Sequence, residues 1–202
     1  MATANNDLFV RDWWESAVVK IGFDIASADE ATKSKRKWFP YQKGGDFRKW
    51  FGNNELVVNW ENDGYEIKSN VDRITGRIRS HNYNGAFAFR EGITWSSLSS
   101  GKIHLRFSPT GALFDSKGAK GFADSTEQCL YALALLNSSV AGSFLSFLAP
   151  TLDFKVGDVI EIPDARQVDR YISYITGICI DISRNDYDSQ ETSWDFKRSP
   201  LL

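Results

Sequence analysis

The chain has 202 residues, of which 42% are hydrophobic and 25% are charged, and its net charge is −2. This composition is typical of a soluble globular protein with one sizeable core, and the net charge argues against a generic nucleic-acid-binding protein. No apolar run approaches the roughly 20 residues of a membrane span, and the N-terminus lacks the basic start of a secretion signal. We therefore expect a cytoplasmic protein with no membrane segment.

The first predicted element is an N-terminal helix. Apolar residues recur there at approximately helical spacing, and Gly22 follows as a stop signal; they are Phe9, Val10, Trp13, Val18 and Ile21. Residues 24–45 are polar and basic, and Pro40 and the pair Gly44-Gly45 interrupt them. This second stretch is typical of a loop.

Short strands are predicted in the middle of the chain. The segment ELVVNW, residues 55–60, has strand composition and is followed by the turn signal NDG. A brief helix is expected over residues 65–74. Four further short strands, separated by Gly, Ser and Pro, are predicted at GAFAF, GITW, KIHLRF and GALFD, residues 85–89, 92–95, 102–107 and 111–115.

The chain becomes helical after Phe122. Ser125 and Gln128 form a capping-box pattern that opens an apolar run ending at Pro150, which predicts one buried helix or two helices joined near Asn137. A short strand is predicted at VGDVIEIP, residues 156–163. Asp164 is expected to cap a last helix whose apolar stripe is Val168, Tyr171, Ile172, Ile175 and Ile182.

These elements together predict an α+β fold with a twisted, largely antiparallel sheet and flanking helices. We expect a single domain over residues 1–185, with the N-terminal helix, a basic loop-and-strand middle over 33–120 and a helical part over 125–185. Residues 186–202 are expected to form an irregular tail. No internal repeat or low-complexity linker is present.

The sequence contains no recognisable catalytic or metal-binding motif. The fragment SLSSGKI lacks the glycine and the hydroxyl residue of a phosphate loop, and His81 and His104 are more typical of surface or satisfied polar residues than of ligands. Glu61 and Asp63 fit ordinary turn chemistry. Cys129 and Cys179 lack CxxC spacing and are expected to be reduced thiols. An independent hydrolase is therefore not favoured, and no catalytic, cofactor or metal ligand is predicted.

Charge is distributed unevenly along the chain. Residues 33–120 contain 16 Lys or Arg against 8 Asp or Glu, whereas the remainder contains 8 basic and 18 acidic residues. A basic face of this kind attracts a polyanion even when the whole molecule is slightly negative. An ordinary solvated face remains the alternative.

Several segments in the same order resemble one protein family. They are KWFPYQKGGDFRKWFGNNELVVNWENDG, GITWSSLSSGKIHLRF, ALALLNSSVAGSFLSFLAPTLDFKVGDVIEIP and ETSWDFKRSPLL. Together they resemble the region C-terminal to the catalytic domain of the PglX family, the adenine-specific DNA methyltransferases of BREX phage-defence systems. The ITWS…SGK and LLNS…F…L patterns are also similar to target-recognition domains of fused restriction–modification methyltransferases.

The resemblance implies that this chain is a fragment of a larger protein. That larger protein would transfer a methyl group from S-adenosylmethionine to adenine in host DNA, while this region reads the target sequence in double-stranded DNA. The chain itself would then be a binding module that contains neither the cofactor site nor the catalytic site.

A recognition domain must contact phosphates with Lys or Arg and present polar side chains to base edges. In the opening segment, Lys43, Arg48 and Lys49 are candidate phosphate contacts, and Gly44 and Gly45 would let the backbone approach the duplex. The remaining candidates for DNA contact have the residue types that pair with bases or phosphates, and they are Arg73, Arg77, Arg79, Asn82, Asn84, Ser97 and Lys102.

Aromatic residues leave a second interpretation open. Trp38, Trp50, Trp60 and Trp95 fit core or hinge positions better than base stacking. The alternative to the preferred DNA-recognition module is a protein-interaction module, in which the aromatic surface and acidic flanks dock onto another subunit of a defence complex or onto the remainder of the protein. Salt-dependent DNA binding distinguishes the two hypotheses.

Overall fold

A computed structural model of the protein describes residues 1–82, 84–99, 101–149, 151, 153–164 and 170–199. The α-helices are α1 (Asn6–Phe9), α2 (Ala28–Ser34), α3 (Glu61–Lys68), α4 (Thr126–Asn137), α5 (Ser139–Leu148), α6 (Val156–Ile160) and α7 (Arg170–Tyr187). The strands are β1 (Val10–Asp12), β2 (Trp38–Gln42), β3 (Leu56–Asn59), β4 (Gly92–Ser96), β5 (Leu105–Ser108), β6 (Leu113–Phe114) and β7 (Gly118–Gly121). Short 3-10 turns occupy Trp13–Glu15, Val18–Lys20 and Gly85–Phe87.

The predicted α+β class is confirmed, and the chain divides into two compact units. Unit 1 comprises Met1–Gln42, Asn54–Arg90 and Pro109–Ser116. Unit 2 comprises Lys43–Asn53, Glu91–Ser108 and the described residues from Lys117 onwards. Because each unit uses three separate stretches, no single position in the sequence separates them. The single domain over 1–185 and the tail over 186–202 stay predictions beside this division.

Unit 1 contains a four-stranded sheet in the order β1-β3-β2-β6. Strand β3 is antiparallel to both neighbours, with Val58 opposite Val10 and Phe39, and β6 runs parallel to β2. Burial in β2 and β3 is continuous from the second residue of each strand, so both faces of these strands are covered. The core consists of Phe9, Ala31, Phe39, Tyr41, Val58, Trp60, Ile67, Phe89 and Leu113.

Unit 2 contains a three-stranded antiparallel sheet in the order β5-β4-β7. Ile93, Trp95 and Leu105 occupy one face and enter the core together with Leu133 of α4 and Ile180 of α7. The opposite face carries Thr94 between Arg106 and Lys120, since these three residues share one register row. One face of the sheet is therefore apolar, and the other carries cations.

Within the described part of the chain, no single helix is long and apolar enough to cross a membrane. Helices α4 and α5 together have the length and composition of a span, but they are bent by 67° where they meet. Leu133, Leu136, Ala141 and Leu145 of this pair are buried in the core of unit 2.

Several predicted elements are confirmed. Strands occur at residues 56–59, 92–96, 105–108 and 113–114. The brief helix predicted over residues 65–74 is confirmed only as far as Lys68, where α3 ends, and residues 69–74 are not helical. The apolar run after Phe122 forms two helices that join at Ser138. Ser125 caps the first of these helices by accepting a hydrogen bond from the Gln128 backbone N–H at 3.2 Å.

The predicted N-terminal helix is wrong. Only the four residues of α1 are helical, and Val10–Asp12 form β1, because pairing with β3 satisfies this backbone better than continuing the helix. The predicted loop over residues 24–45 is also wrong. It contains α2, which Ser27 caps through the Glu30 N–H, and β2, in which Pro40 lies where the strand passes from pairing with β3 to pairing with β6.

Two predicted strands are wrong, and β7 was missed in addition to β1 and β2. GAFAF contains the 3-10 turn Gly85–Phe87, and VGDVIEIP contains α6. Helix α6 begins where the Asp158 carboxylate accepts a hydrogen bond from the Lys155 N–H at 2.9 Å, which is local capping chemistry. The sequence of β7, GAKG, has low strand propensity, and this segment forms a strand only because it pairs with β4.

The predicted apolar stripe of the last helix is wrong. Tyr171 and Ile182 of α7 are exposed, whereas Thr176, Ile180 and Tyr187 are buried. Packing against α4 selects the face with small residues, which allows the two helices to approach closely. Val168 of the predicted stripe lies outside the described residues.

Asn137 connects the helical part of unit 2 to the edge of its sheet. Its buried amide donates to the Leu105 carbonyl at 3.0 Å and accepts from the Leu105 N–H at 3.1 Å. Leu105 lies on β5 at the edge of the sheet, and its carbonyl also accepts the Trp50 N–H at 2.9 Å. The side chain therefore satisfies backbone groups that a further strand would otherwise pair.

Replacing Asn137 by Leu should lower the free energy of unfolding by about 2–3 kcal/mol, because the buried Leu105 N–H loses its acceptor. Urea denaturation of the purified chain measures this change. The matched control is Asn185→Leu on the exposed side of α7, which should change stability by less than about 0.5 kcal/mol. Equal stabilities of the two variants would contradict the role assigned to Asn137.

Candidate nucleic-acid interface

The ten predicted DNA-contact residues are divided between the two units. Unit 1 contains Arg73, Arg77, Arg79, Asn82 and Asn84. Unit 2 contains Lys43, Arg48, Lys49, Ser97 and Lys102. Each group is described within its own unit.

In unit 1, residues 70–79 form a short hairpin, which we call the arginine hairpin. The Arg79 N–H donates to the Asn70 carbonyl at 2.8 Å, and the Asp72 N–H donates to the Arg77 carbonyl at 2.8 Å. Val71 and Ile78 pair across the hairpin. Gly76, with φ +67°, provides the left-handed residue that closes the turn.

Asp72 holds the tip of the arginine hairpin in place. Its carboxylate accepts the N–H groups of Ile74 and Thr75 at 2.9 and 2.8 Å and the Arg79 guanidinium at 2.6 Å. Hydrogen bonding from the Thr75 N–H, followed by that from Arg79, holds the pKa of Asp72 well below its usual range. The turn is therefore fixed by a carboxylate that stays ionised at neutral pH.

The side chains of the hairpin differ in availability. Arg73 and Arg77 are exposed, whereas Arg79 is paired with Asp72 while remaining half exposed. Ile74 lies between Arg73 and Arg77 in the sequence and is 95% exposed. The hairpin thus presents one exposed cation before the isoleucine and one after it in the sequence.

Asn82 and Asn84 follow the hairpin along the chain. Asn82 is half-buried and Asn84 is exposed, and the Asn84 carbonyl accepts the Phe87 N–H at 3.1 Å. Their amide side chains stay candidates for base contact.

In unit 2, Lys49 and Lys102 line a groove of about 490 Å³ at the junction of α4 and α5, which we call the lysine groove. Its other polar groups include the hydroxyls of Ser138, Ser139, Ser143 and Ser146. The Lys49 ammonium donates to the Asn137 carbonyl at 3.0 Å, which fixes its position, and Lys102 is exposed. Two ammonium groups, several hydroxyls and the N-terminal end of α5 are suited to a phosphate group.

Other predicted residues of unit 2 have structural partners. Arg48 forms an ion pair with Asp186 at 3.0 Å, and its guanidinium lies 5.1 Å from the centre of the Tyr187 ring. Ser97 is buried and donates to the Lys117 carbonyl at 3.2 Å. Lys43 is half-buried. A DNA contact by any of these three residues stays a prediction.

The segment 43–53 is held in an unusual backbone conformation. Gly44 and Gly45 have φ angles of +97° and +124°, so a larger residue would be strained at either position. The Gly45 carbonyl accepts the Ser96 hydroxyl at 2.9 Å, and the Asp46 carbonyl accepts the Asn53 amide at 2.8 Å. The approach of the two glycine backbones to DNA stays a prediction.

A buried cation lies on the edge strand of unit 2. Arg106 is fully buried, and none of its guanidinium nitrogens has a hydrogen-bond partner among the described residues. Burial lowers the pKa of Arg106 to about 10, so the group stays protonated at pH 7. The pKa of His104 is lowered mainly by burial, and the positive charges of Arg106 and Lys49 contribute less. His104 is therefore neutral at pH 7.

A second cavity of unit 2, of about 710 Å³, is mainly apolar. Trp95, Phe122, Leu135 and Val159 are among its lining residues, and Lys120 is its buried cation. Burial lowers the pKa of Lys120 to about 7. Among the described residues, no group of three His, Cys, Asp or Glu side chains is placed to hold a metal ion.

Lys120 should give the stability of the chain a characteristic pH dependence. Its ordinary pKa is 10.5 and its folded pKa is about 7, so the unfolded state binds more protons between these two values. The free energy of unfolding should therefore rise with pH across this window because the unfavourable burial of a charged amine is relieved. Burial raises the pKa of Cys129 from 9.0 to about 11, so ionisation of this thiol in the unfolded state opposes the rise above about pH 9, and the rise is expected between about pH 7 and 9.

Urea denaturation at several pH values measures this dependence. Lys120→Met should be more stable than the wild type at pH 7 and should lose the rise with pH, whereas exposed Lys117→Met should keep it. If the free energy of unfolding of the wild type varies with pH in the same way as that of Lys120→Met, the lowered pKa of Lys120 is contradicted.

The sequence analysis missed part of both surfaces. The hydroxyls of Ser138 and Ser139 belong to the NSS segment that directly follows an apolar helix, which is a recognisable capping signal. No sequence pattern indicates that Ile74 belongs to a surface site, since an isoleucine between polar residues is equally compatible with a strand. Only the hairpin geometry shows that it is exposed.

Comparison with known proteins supports the predicted resemblance. No family model matches the chain. The chain is 51% identical over all 202 residues to the adenine-specific methyltransferase PglX of Lacticaseibacillus casei (strain Zhang), of which it covers 17%. It is 35% identical over 198 residues to the adenine-specific methyltransferase BrxX of Escherichia coli O9:H4 (strain HS), of which it covers 15%. The chain thus spans about one sixth of the length of these curated relatives, and its resemblance to PglX is confirmed.

Proposed function

We propose that the chain is a DNA target-recognition module of a site-specific adenine DNA methyltransferase of a BREX phage-defence system. The observation that carries this proposal is the arginine hairpin, in which an internal carboxylate fixes a turn that presents Arg73 and Arg77 to solvent. The similarity to a part of PglX and BrxX gives the proposal its context.

The hairpin and the lysine groove have complementary chemistry for DNA. Arg73 and Arg77 carry planar guanidinium groups that can bind a phosphate or acceptor atoms on the edges of bases. Lys49 and Lys102 carry compact ammonium groups that suit phosphate contacts but do not distinguish bases. We therefore assign sequence reading to the hairpin and backbone contact to the groove.

Methyl transfer belongs, in this proposal, to another part of a longer protein. The relatives are about six times longer than this chain, and their names describe adenine-specific methyltransferases. The module would hold the duplex while adenine is rotated into a separate catalytic pocket with S-adenosylmethionine. We expect this work to take place in the cytoplasm, with double-stranded DNA and other BREX subunits as partners.

The purified chain should therefore bind no S-adenosylmethionine and methylate no DNA, because its sequence contains no recognisable glycine-rich cofactor motif. Isothermal titration with the cofactor and a methyl-transfer assay on plasmid DNA measure both activities. Specific heat of binding or methyl transfer by the chain would contradict the assignment of catalysis to another part of the protein.

A protein-interaction module is the second candidate, and the apolar surfaces of two helices favour it. Phe147 of α5 is 85% exposed, and Tyr171, Tyr174 and Ile182 of α7 are 64–68% exposed. Exposed apolar faces of this extent mark interaction surfaces in many proteins. This hypothesis predicts binding to another protein without a contribution from the arginine hairpin.

Salt dependence of DNA binding tests the proposed function. Fluorescence anisotropy with a labelled duplex at several salt concentrations should show binding that weakens steeply as salt increases, because bound phosphates release counterions. Single replacement of Arg73, Arg77, Lys49 or Lys102 by Ala should lower the salt slope by about one for each phosphate that the variant no longer neutralises. An arginine that reads a base edge should instead contribute about 1–3 kcal/mol of preference for its cognate duplex.

Lys197→Ala is the matched control, since Lys197 is exposed and belongs to neither surface. It should leave the salt slope unchanged. Absence of DNA binding at low salt, or an unchanged slope in all four test variants, would favour the protein-interaction module.

A further inference from the structure

We propose that Ile74, at the tip of the arginine hairpin, is a wedge that enters a base step of the DNA from the minor groove. The inference deepens the proposed function and rests on it, since it assigns the hairpin to one groove and one mode of contact. The apolar side chain of Ile74 belongs to neither of the two cores described above.

Ile74 differs from the other apolar residues of the hairpin. Val71 and Ile78 pair across its base and are 48% and 58% exposed, whereas Ile74 is 95% exposed. Burying an isoleucine is favourable, so a partner that covers this side chain gains free energy from the contact. A partner that covers Ile74 must accept an apolar tip with a cation on each side.

The hairpin is also ordered before any partner binds. The Ile74 N–H donates to the Asp72 carboxylate at 2.9 Å, and the Gly76 N–H donates to the Asp72 carbonyl at 2.8 Å. These contacts fix the backbone on both sides of Ile74, so the isoleucine is presented in one place. A fixed tip is what insertion between stacked bases requires, because a flexible loop would lose its ordering entropy on binding.

The chemistry on both sides of Ile74 favours DNA as the partner. Arg73 and Arg77 are exposed and precede and follow the tip within the same turn. Proteins that bind the minor groove combine arginines, which its negative potential attracts, with an inserted apolar residue such as isoleucine. Because wedge insertion kinks the duplex toward the major groove and so opens the minor groove, the hairpin tip can enter a groove that is too narrow for a two-stranded ribbon in undistorted DNA.

Insertion has a specific consequence for affinity. Burial of the isoleucine is favourable, but unstacking a base step costs free energy of similar size. Removal of the wedge should therefore change the dissociation constant by less than about tenfold while abolishing the distortion of the DNA. The salt slope should stay at its wild-type value, because the isoleucine side chain neutralises no phosphate.

The test uses nicked plasmid DNA, which reports unwinding at any base sequence. The plasmid is ligated in the presence of the 202-residue chain, the protein is removed, and the linking number is read on a gel. The wild-type chain should lower the linking number in proportion to the amount bound. Ile74→Ala should bind without lowering it, whereas Ile74→Leu, which keeps an apolar tip, should retain most of the unwinding.

Ile182→Ala is the matched control, because it removes an exposed isoleucine from α7 and should unwind DNA as the wild type does. Circular dichroism should show that all variants are folded. Two results would show that the wedge hypothesis is wrong while the recognition module stands. The wild-type chain binds DNA with a steep salt slope but leaves the linking number unchanged, or Ile74→Ala unwinds DNA like the wild type. If the wild-type chain binds no DNA, the proposed function is wrong and the wedge with it.

Discussion

The two hydrogen bonds between the Asn137 amide and the Leu105 backbone determine much of unit 2. They occupy the open side of the edge strand β5 at the place where α4 ends and α5 begins. The Asn137 carbonyl meanwhile accepts the Lys49 ammonium, and the Leu105 carbonyl accepts the Trp50 N–H. One polar residue thus positions the segment 43–53, the start of α5 and one cation of the lysine groove, because buried backbone groups must find partners.

The arginine hairpin in unit 1 uses the same principle with a charged residue. Asp72 accepts from two backbone N–H groups and from Arg79, so that one guanidinium is used to hold the turn. The remaining arginines, Arg73 and Arg77, are left at the surface. In each surface a polar group holds one part in place before a ligand binds. Asp72 fixes the turn that carries Arg73 and Arg77, and the Asn137 carbonyl holds the Lys49 ammonium.

Local chemistry explains which parts of the fold the sequence predicted. Strand β3 and helix α4 were predicted correctly, since LVVN has strong strand propensity and Ser125 caps the helix directly. Strands β1 and β7 were not, because their sequences become strands only by pairing with distant β3 and β4. For the candidate sites, the sequence predicted the residue types of the hairpin. It did not predict that Arg48 and Ser97 have internal partners, since exposure depends on tertiary packing.

The support of the hairpin by Asp72 also determines the conditions under which it keeps its shape. Because the pKa of Asp72 is lowered in the folded protein, its stabilising contribution is present above the ordinary aspartate pKa and is lost only as pH falls through the lowered value. The turn is therefore unaffected by pH in the range where DNA is a fully charged polyanion. The DNA contacts proposed for Arg73 and Arg77 should depend strongly on salt within that range, since counterions screen the phosphates that these side chains would meet. A turn held by an ionised carboxylate thus keeps its shape while the strength of the proposed contacts varies with the ionic environment.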